Sequence, residues 1–260
     1  MKLLEGKTAL VFGVANDHSI AWGIARALHE HGASVAFSYA AETLERRVRP
    51  LAESIGSTFV EKCDVGDDDQ IAALFGKAAD ELPAIDILIH AIAFAERDDL
   101  QGAFHQTSRA GFRKAMEISV YSYIALARAA KPMMGPGSSM LTLTYYGAQK
   151  AVPNYNVMGV AKAALEATTR YLAVDLGRDR IRVNAISAGP IRTLSAAGVS
   201  GFKRMYREFT SYAPLQEPIS IEDIGDAAVW LSSSMASRVT GEILFVDSGY
   251  NVVGIPEALE

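Results

Sequence analysis

The chain has 260 residues, half of them hydrophobic, with 25 basic and 30 acidic side chains and a formal net charge of −5. No apolar run approaches the roughly 20 residues of a membrane-spanning helix, and the N-terminal residues lack the apolar core of a secretory signal. The absence of a long basic run argues against a nucleic-acid partner. A single cysteine, Cys63, excludes a disulfide framework within the chain. The composition therefore predicts a soluble, cytoplasmic, globular protein.

Short β-branched apolar segments alternate along the chain with longer segments of helical period. We predict strands over Thr8–Phe12, Ser34–Tyr39, Thr58–Cys63, Ile85–His90, Met140–Thr144, Ile181–Ser187 and Ile243–Val246. We predict helices over Ile20–His31, Glu42–Ile55, Asp68–Glu81, Phe112–Lys131, Asn154–Leu176 and Ile221–Ser233. Apolar strands separated by helices are typical of a parallel sheet that is covered on both faces. We therefore predict one α/β domain over residues 1–260, doubly wound (Rossmann), with a parallel sheet of about seven strands.

The first predicted strand ends at a glycine, and a helix follows it. Gly13 closes the strand, and Ser19 and Ile20 begin the predicted helix. A helix N-terminus offers free amide groups and a partial positive charge to a phosphate, so this turn can bind the pyrophosphate of a dinucleotide. The full G-x-G-x-x-G pattern is absent. An ordinary turn in which Ser19 only caps the helix is the alternative.

Charged residues after the second strand bear on the choice of dinucleotide. An acidic group there can bind a ribose 2′-hydroxyl, whereas an arginine accommodates a 2′-phosphate. Glu42 is the nearest charge, and Arg46 and Arg47 come a helical turn later. This order favours NADH over NADPH, although Glu42 can equally be a solvated first-turn residue. Asp64 and Val65 close the third strand, where an adenine edge lies in such folds.

Two tyrosine–lysine pairs compete as candidates for proton-transfer chemistry. Tyr146 and Lys150 have a helical spacing, but they fall in a predicted strand-to-helix loop, where that spacing has no geometric meaning. Tyr155 and Lys162 open a predicted helix, and seven residues make about two turns, so both side chains project from one face. Lys162 has apolar neighbours. Either it has a partner in a buried site, because an unpaired buried ammonium is costly, or it extends along the helix to solvent.

The stretch from Ile191 to Pro218 matches no strand and is long for a connection. Long loops in compact domains are usually lids or binding loops, so we predict a lid over about 191–218. Lys203, Arg204 and Arg207 cluster at helical spacing within it. This basic cluster is either a docking face for an acidic partner, because complementary charge speeds encounter, or an ordinary solvated helix face.

The combined pattern resembles the short-chain dehydrogenase/reductase superfamily. Most members carry a serine and then Tyr-x-x-x-Lys, whereas this chain has Met158 in the usual tyrosine position and Tyr145 in the usual serine position. That substitution is similar to the bacterial enoyl-[acyl-carrier-protein] reductases, whose tyrosine also stands upstream of that position. The motifs that carry the resemblance are Gly13, Ser19–Ala25, Asp64–Val65, Pro153–Gly159, Lys162, Asn184–Pro190 and Ile186–Leu194. The resemblance spans nearly the whole chain, from Gly6 to Asp247.

The resemblance implies reduction of the trans-2 double bond of an enoyl thioester by NADH, with Tyr145, Tyr155 and Lys162 as catalytic residues. Tyr155 would donate a hydrogen bond to the developing enolate, and Lys162 would bind the nicotinamide ribose and favour the phenolate form of a tyrosine. The implied cofactor-binding residues are Gly13, Ser19, Ile20, Asp64, Val65, Ile92, Lys162, Ile191, Arg192, Thr193, Leu194 and Ser195. The implied substrate-binding residues are Ala95, Tyr145, Tyr155, Met158, Val199 and Phe202. For Met158 plain core packing is the alternative, and no metal is implied.

Partners follow from the same resemblance. It implies an acyl-carrier protein that docks on Lys203, Arg204 and Arg207, and a homotetramer. Two departures from the family are notable. Ala40 stands where relatives often have glutamine or a basic residue, which weakens the basis for a strong NADH preference. Ala93 replaces a glycine found in well-known relatives, and its methyl group is predicted to weaken inhibition by triclosan-like compounds.

Two other functions remain open on the sequence. A carbonyl reductase of the same superfamily needs the four-residue tyrosine–lysine step on the helix, and Met158 occupies the tyrosine position of that step. A non-catalytic dinucleotide-binding protein can sense redox state through the same fold. It does not need a proton donor such as Tyr155 beside the nicotinamide, and fold alone does not separate these functions.

Overall fold

The computed structural model describes residues 2–197 and 201–254. Within them, seven parallel strands form one sheet in the order β3-β2-β1-β4-β5-β6-β7. The strands are β1 (Thr8–Phe12), β2 (Ser34–Tyr39), β3 (Val60–Lys62), β4 (Ile87–His90), β5 (Ser139–Thr144), β6 (Arg182–Ala188) and β7 (Ile243–Val246). The chain begins in the middle of the sheet, winds to one edge and then to the other. The predicted doubly wound parallel sheet is therefore confirmed.

Helices cover both faces of the sheet. They are α1 (Ile20–Glu30), α2 (Glu42–Ser54), α3 (Asp68–Glu81), α4 (Arg109–Met116), α5 (Ser122–Ala130), α6 (Asn156–Gly177), α7 (Leu194–Ala197), α8 (Phe202–Tyr212) and α9 (Ile221–Ser232). Two predictions are wrong in detail. The single helix expected over Phe112–Lys131 is interrupted by a π-helical turn over Glu117–Tyr121. The stretch expected as a loop over 191–218 contains α7 and α8.

The core lies in two apolar layers, one on each face of the sheet. Because side chains of a strand alternate between faces, Ala9 and Val11 of β1 pack with α1 and α9, while Leu10 and Phe12 pack on the opposite side with α3 and α5. All five residues of β1 are buried. Burial on both faces explains why β1 is apolar throughout rather than alternating.

The sheet topology determines where a ligand can bind. The strand order reverses between β1 and β4, and doubly wound folds bind ligands in the crevice outside the carboxyl ends of the strands at that point. Gly13, Ala91 and Tyr145 follow directly after β1, β4 and β5. Neighbouring strands therefore deliver these three residues to the same edge of the sheet.

Among residues 2–197 and 201–254, no helix combines the length and the apolar character needed to cross a membrane. The cytoplasmic location stays a prediction.

Candidate active site

The turn after β1 fits a dinucleotide. Gly13 has a φ of +102°, and a Cβ added there would lie 2.1 Å from the carbonyl oxygen of Ala91. Only glycine allows both this backbone conformation and this close approach. The turn after β1 is thereby packed directly against the segment that follows β4.

Ser19 fixes the shape of that turn. It occupies the N-cap position of α1, but its side chain does not cap the helix. Its Oγ instead accepts hydrogen bonds from the amides of Ala15 and Asn16, each at 3.0 Å. The amides of Trp22 and Gly23 donate to the Ser19 carbonyl oxygen. Because the Ser19 side chain does not cap the helix, the two preceding amides, of Ile20 and Ala21, can donate to a phosphate. The turn therefore fits the pyrophosphate of a dinucleotide, and capping by the Ser19 side chain is excluded.

The ends of β2 and β3 lie on the side of the crevice where the sequence predicts the adenosine half of a dinucleotide. Glu42 is the first residue of α2 and is exposed, and its Oε1 accepts a hydrogen bond from Lys62 Nζ at 3.3 Å. Asp64 Oδ1 accepts from the amide of Gly66 at 2.9 Å, and Val65 is buried. Both interpretations of Glu42, as ribose ligand and as first-turn residue, agree with this position.

Tyr145 and Tyr155 form a packed pair at the centre of the edge. Their ring centroids are 5.0 Å apart and the planes are inclined by 70°, an edge-on arrangement. Gly147 lies between them, and a Cβ there would lie 2.5 Å from Tyr155 Cδ1 and 3.2 Å from Tyr145 Cδ1. Sequence reasoning missed Gly147, because a glycine in a predicted loop gives no sign of what its missing side chain makes room for.

The backbone around Tyr155 sets the direction of its ring. We expected Tyr155 inside the helix, but it is the residue immediately before α6. The flanking residues Asn154 and Asn156 have φ values of +63° and +39°, a region that asparagine enters more readily than most residues. Asn156 Nδ2 donates to the carbonyl oxygens of Gln101 and Gly102 at 3.4 and 3.3 Å. Asn154 and Asn156 therefore have a structural role: both adopt the positive φ values of this turn, and Asn156 ties the turn to Gln101 and Gly102.

Lys162 is buried beneath this pair on α6. Its Nζ donates a hydrogen bond to the carbonyl oxygen of Leu143 at 2.7 Å. Burial lowers the pKa of Lys162 to about 8, and the nearby Glu166 carboxylate opposes that shift. Glu166 is also buried and accepts from Thr144 Oγ1 at 2.9 Å. The alternative in which Lys162 extends to solvent is therefore wrong. Sequence reasoning missed Glu166, although its position one helical turn after Lys162 was a usable signal.

Both tyrosines are neutral phenols at neutral pH. Burial raises the pKa of Tyr155, and the neighbouring Tyr145 raises it further. Burial also raises the pKa of Tyr145, with additional contributions from Tyr250 and Tyr146. Lys162 contributes to neither shift, so the expected stabilisation of a phenolate by that lysine is not observed. Each hydroxyl is consequently a hydrogen-bond donor rather than a resting anion.

Tyr146 and Lys150, the second tyrosine–lysine pair, do not form a site together. Tyr146 lies in a short 3₁₀ turn and packs edge-on against Tyr250, with ring centroids 5.4 Å apart. Lys150 is exposed. The interpretation that this helical spacing has no meaning in a loop agrees with these positions.

The segment after β4 lies at the same edge of the sheet. Ile92 and Ala95 are half-buried and pack against the apolar layer that contains α5 and α6, while Ala93 is exposed. Met158 is buried in the same layer, so it is a residue of the hydrophobic core. Its burial removes it from the role that a tyrosine has in most superfamily members.

The residues after β6 lead into the predicted lid. Ile191 is buried, and Thr193 Oγ1 accepts from the amide of Ala196 at 3.1 Å, which caps the short helix α7. The guanidinium carbon of Arg192 lies 4.5 Å from the ring centroid of Tyr206 on α8. Leu194, which is exposed, and Ser195 are in α7.

Helix α8 reaches back to the tyrosine pair. The Tyr145 hydroxyl lies 3.4 Å from Met205 Sδ, a contact that sequence reasoning missed. Phe202 is half-buried, and its ring centroid lies 6.0 Å from that of Tyr206. Val199, predicted as apolar lining, lies outside the described residues.

The basic cluster lies on α8 as its spacing predicts. Lys203, Arg204 and Arg207 are all exposed. Arg204 Nε donates to Glu208 Oε1 at 2.6 Å, so its charge is paired within the helix. In the described part of the chain, no ion pair is formed by Lys203 or Arg207. Over the same residues, no group of three or more His, Cys, Asp or Glu side chains is placed to hold a metal ion.

A comparison with known families decides the assignment. The family model described as "Enoyl-(Acyl carrier protein) reductase" matches residues 13–251. The chain belongs to the enoyl-[acyl-carrier-protein] reductase family. The family that the sequence motifs predict is therefore confirmed, together with its place among short-chain dehydrogenases/reductases.

Individual members of the enoyl-[acyl-carrier-protein] reductase family are similar over nearly their whole length. The enoyl-[acyl-carrier-protein] reductase [NADH] of Bacillus cereus is 54% identical over 98% of this chain and 100% of the relative. The solved structure of the Aquifex aeolicus enzyme, also an NADH enzyme, is 50% identical and superposes with a TM-score of 0.95, covering 97% of this chain and 99% of that one. The Anaplasma phagocytophilum reductase, solved in complex with NAD, is 48% identical with a TM-score of 0.95 and 98% coverage of both chains.

Proposed function

We propose that this chain catalyses the NADH-dependent reduction of the trans-2 double bond of enoyl thioesters carried on acyl-carrier protein. This is the last reductive step of bacterial fatty acid elongation. The activity and cofactor agree with the curated names of its close relatives, which are NADH enoyl-[acyl-carrier-protein] reductases. The observation that carries the proposal is the neutral Tyr155 phenol, which packs edge-on against Tyr145 directly after β5, the strand whose Leu143 carbonyl oxygen accepts from the buried Lys162.

The cofactor would supply the hydride, and residues of the chain would bind and orient the cofactor. NADH, when bound, provides a hydride for the β-carbon of the enoyl thioester. Gly13 and the amides of Ile20 and Ala21 would hold its pyrophosphate. Lys162 binds the nicotinamide ribose, because an ammonium has three N–H donors and only one is used by the carbonyl of Leu143.

Tyr155 acts where negative charge appears in the reaction. As the β-carbon gains a hydride, charge moves to the thioester oxygen, and a hydrogen-bond donor placed there stabilises the transition state. The raised pKa of Tyr155 ensures that its hydroxyl carries a proton at neutral pH. The same group can then deliver a proton to the enolate. Tyr145 holds the Tyr155 ring edge-on and lines the substrate pocket.

The lid over 191–218 covers the acyl chain in this proposal. Phe202 and Met205 of α8 supply apolar side chains on that side, and Met205 already contacts the Tyr145 hydroxyl. Docking of the acidic carrier protein uses the basic cluster of Lys203, Arg204 and Arg207. Because Arg204 is paired with Glu208, Lys203 and Arg207 supply most of the attraction.

The oligomeric state is part of the same proposal. Exposed apolar side chains lie along α6 and the neighbouring α5, among them Tyr171 and Val174, which are 77% and 71% exposed. Contiguous apolar surface of this kind marks an interaction site. A second copy of the chain is the occupant that we propose, as in the homotetramers that the family resemblance implies.

Oxidation of the nicotinamide by the purified chain tests the proposed reaction. A short trans-2-enoyl thioester and a 3-ketoacyl thioester are compared, with NADH and NADPH in parallel. We expect turnover of the enoyl thioester with NADH and none of the 3-ketoacyl thioester. Ketone reduction alone would replace the proposal with a carbonyl reductase. Binding of NADH without either turnover would leave a non-catalytic redox sensor.

A further inference from the structure

The buried hydroxyl of Ser119 contacts Phe94, at the carboxyl end of the Ala91–Phe94 segment that follows β4. Ser119 lies in the π-helical turn between α4 and α5 and has no solvent exposure. Its Oγ accepts from the Phe94 amide at 3.0 Å and donates to the Phe94 carbonyl oxygen at 3.1 Å. One serine thus satisfies both backbone groups of Phe94, which lies in no helix or strand.

A second serine of the same region holds the near end. Ser122 Oγ lies 2.9 Å from His90 Nε2 and donates to the carbonyl oxygen of Ile118 at 2.6 Å. His90 is the last residue of β4, and its Nδ1 lies 2.8 Å from Thr142 Oγ1 on β5. Ser122 and His90 are fully buried. The imidazole ring therefore joins β4, β5 and the start of α5.

Both ring nitrogens of His90 have a partner, which fixes the orientation of the ring. Burial, assisted by the positive charge of Lys162, lowers the pKa of His90 to about 3, so the ring is neutral and donates from one nitrogen. Nε2 faces the Ser122 hydroxyl and Nδ1 faces the Thr142 hydroxyl. The Thr142 hydroxyl also lies within donating distance of the His90 carbonyl oxygen, at 3.2 Å. Side chain and backbone of His90 are thus both tied to β5.

The π-helical turn gives this arrangement its geometry. A π-helical turn adds one residue to a helical turn, and such turns occur frequently at functional sites. Here it lets Ser119 and Ser122, three residues apart, contact the two ends of one extended segment. An uninterrupted α-helix was the sequence prediction, and nothing in the spacing of apolar residues distinguishes the two.

We propose that Ser119 and Ser122 are positioning residues, which fix the segment from Ala91 to Phe94 as the surface against which the nicotinamide end of the cofactor is held. The segment lies at the switch point of the sheet, and the carbonyl of Ala91 packs against Gly13 of the dinucleotide turn. The inference rests on the proposed function, because it concerns the reactive half of the same cofactor.

The test compares two buried serines that each donate to a backbone carbonyl. Ser119→Ala removes the hydroxyl behind the segment. Ser139→Ala removes a fully buried hydroxyl that donates to Leu231 at 3.3 Å, at the amino end of β5 and away from the crevice. We expect Ser119→Ala to weaken NADH binding about tenfold and to lower kcat by about 10- to 100-fold, since a small misplacement near the chemistry is costly. Ser139→Ala changes neither.

Binding of ADP, the adenosine half of the cofactor, separates positioning from general loosening. Calorimetry on Ser119→Ala is expected to give an unchanged Kd for ADP alongside the weakened Kd for NADH. Equal losses for ADP and NADH, or wild-type values for both with wild-type kcat, would overturn the proposal. If Ser119→Ala does not fold, Ser122→Ala provides the same comparison, and the hydroxyl-retaining Ser119→Thr is the control that is expected to keep the wild-type Kd for NADH. These binding measurements do not require enoyl turnover, so failure of the proposed reaction is recognised separately.

Discussion

The two walls of the crevice are built in different ways. On the wall formed by β5 and α6, Lys162 and Glu166 are buried and hydrogen-bonded to Leu143 and Thr144 of the neighbouring strand. On the wall formed by α8, the charged residues are exposed, and Arg204 pairs only with its own helix, its side chain being 80% exposed.

The residues that take part in the reaction and the residues that attract the carrier protein therefore lie on different walls. Groups that must hold a proton or an altered pKa need burial and fixed partners, and the β5–α6 wall supplies both. Groups that attract a large acidic partner need exposure and long-range charge, which α8 supplies. We therefore expect substitutions on the first wall to affect kcat and those on the second to affect kcat/KM for carrier-bound substrate.

The largest effect is expected from filling the space between the two tyrosines. Gly147→Ala places a methyl group 2.5 Å from Tyr155 Cδ1, so the rings must separate. We expect kcat for an enoyl thioester to fall by about 100-fold, because the donor is displaced from the developing charge. Gly76→Ala in α3 is the matched control, since a Cβ there meets nothing within 4 Å. Equal kcat for the two variants would contradict the packed-pair geometry.

A pH profile tests the buried lysine. The pKa of Lys162 is lowered to about 8, so we expect kcat/KM to fall about tenfold per pH unit above that value as the ammonium is lost. The stability contribution has the opposite sign. Between pH 8 and the ordinary lysine value of 10.5, the unfolded chain binds the proton that the folded chain has released, so the contribution of Lys162 to the free energy of unfolding increases with pH.

Denaturant unfolding of the wild type and of Lys162→Met isolates that contribution. The difference in the free energy of unfolding, wild type minus variant, is expected to rise across this interval while activity falls. A difference that stays constant with pH would show that Lys162 titrates normally.

Charge reversal on α8 probes the exposed wall. Lys203→Glu combined with Arg207→Glu is expected to lower kcat/KM for carrier-bound enoyl substrate by about thirtyfold at low salt, because electrostatic attraction accelerates encounter. A short enoyl thioester without the carrier is the control, and its kcat/KM is expected to stay unchanged. Equal losses for both substrates would place the effect in the pocket rather than in docking.

The smallest effect concerns one methyl group in the crevice. Ala93→Gly is expected to strengthen inhibition by triclosan-like compounds by about tenfold, the lower end of what one carbon contributes in a binding pocket. The inhibition constant is measured at saturating cofactor. An unchanged constant would remove Ala93 as a determinant of sensitivity.

Much of the fold follows from the sequence, because central strands such as β1 are buried on both faces and are therefore apolar throughout. β1, β2 and β7 have the predicted bounds. The edge strand β3 is shorter than predicted, since only three of its residues pair with β2. The spacing of the basic cluster indicates a helix within the lid, but the bounds of α8 were not predicted, because only Phe209 of its eleven residues is buried.

The candidate site is less predictable for a physical reason. Tyr155 and Lys162 have side-chain chemistry and spacing that single them out. Their partners do not, because the lysine is held by a backbone carbonyl and the tyrosine by the absence of a side chain at Gly147. Such contacts exist only once the strands and α6 are assembled.

The most direct measurement compares removal of the hydroxyl from the two competing tyrosines. Tyr155→Phe and Tyr146→Phe are assayed with NADH and a trans-2-enoyl thioester, and kcat and KM are determined separately. We expect Tyr155→Phe to lower kcat by about 100-fold with little change in KM, since the lost hydrogen bond is strongest in the transition state, and Tyr146→Phe to behave as wild type. An unchanged kcat in Tyr155→Phe would contradict the assignment of Tyr155 as the principal donor.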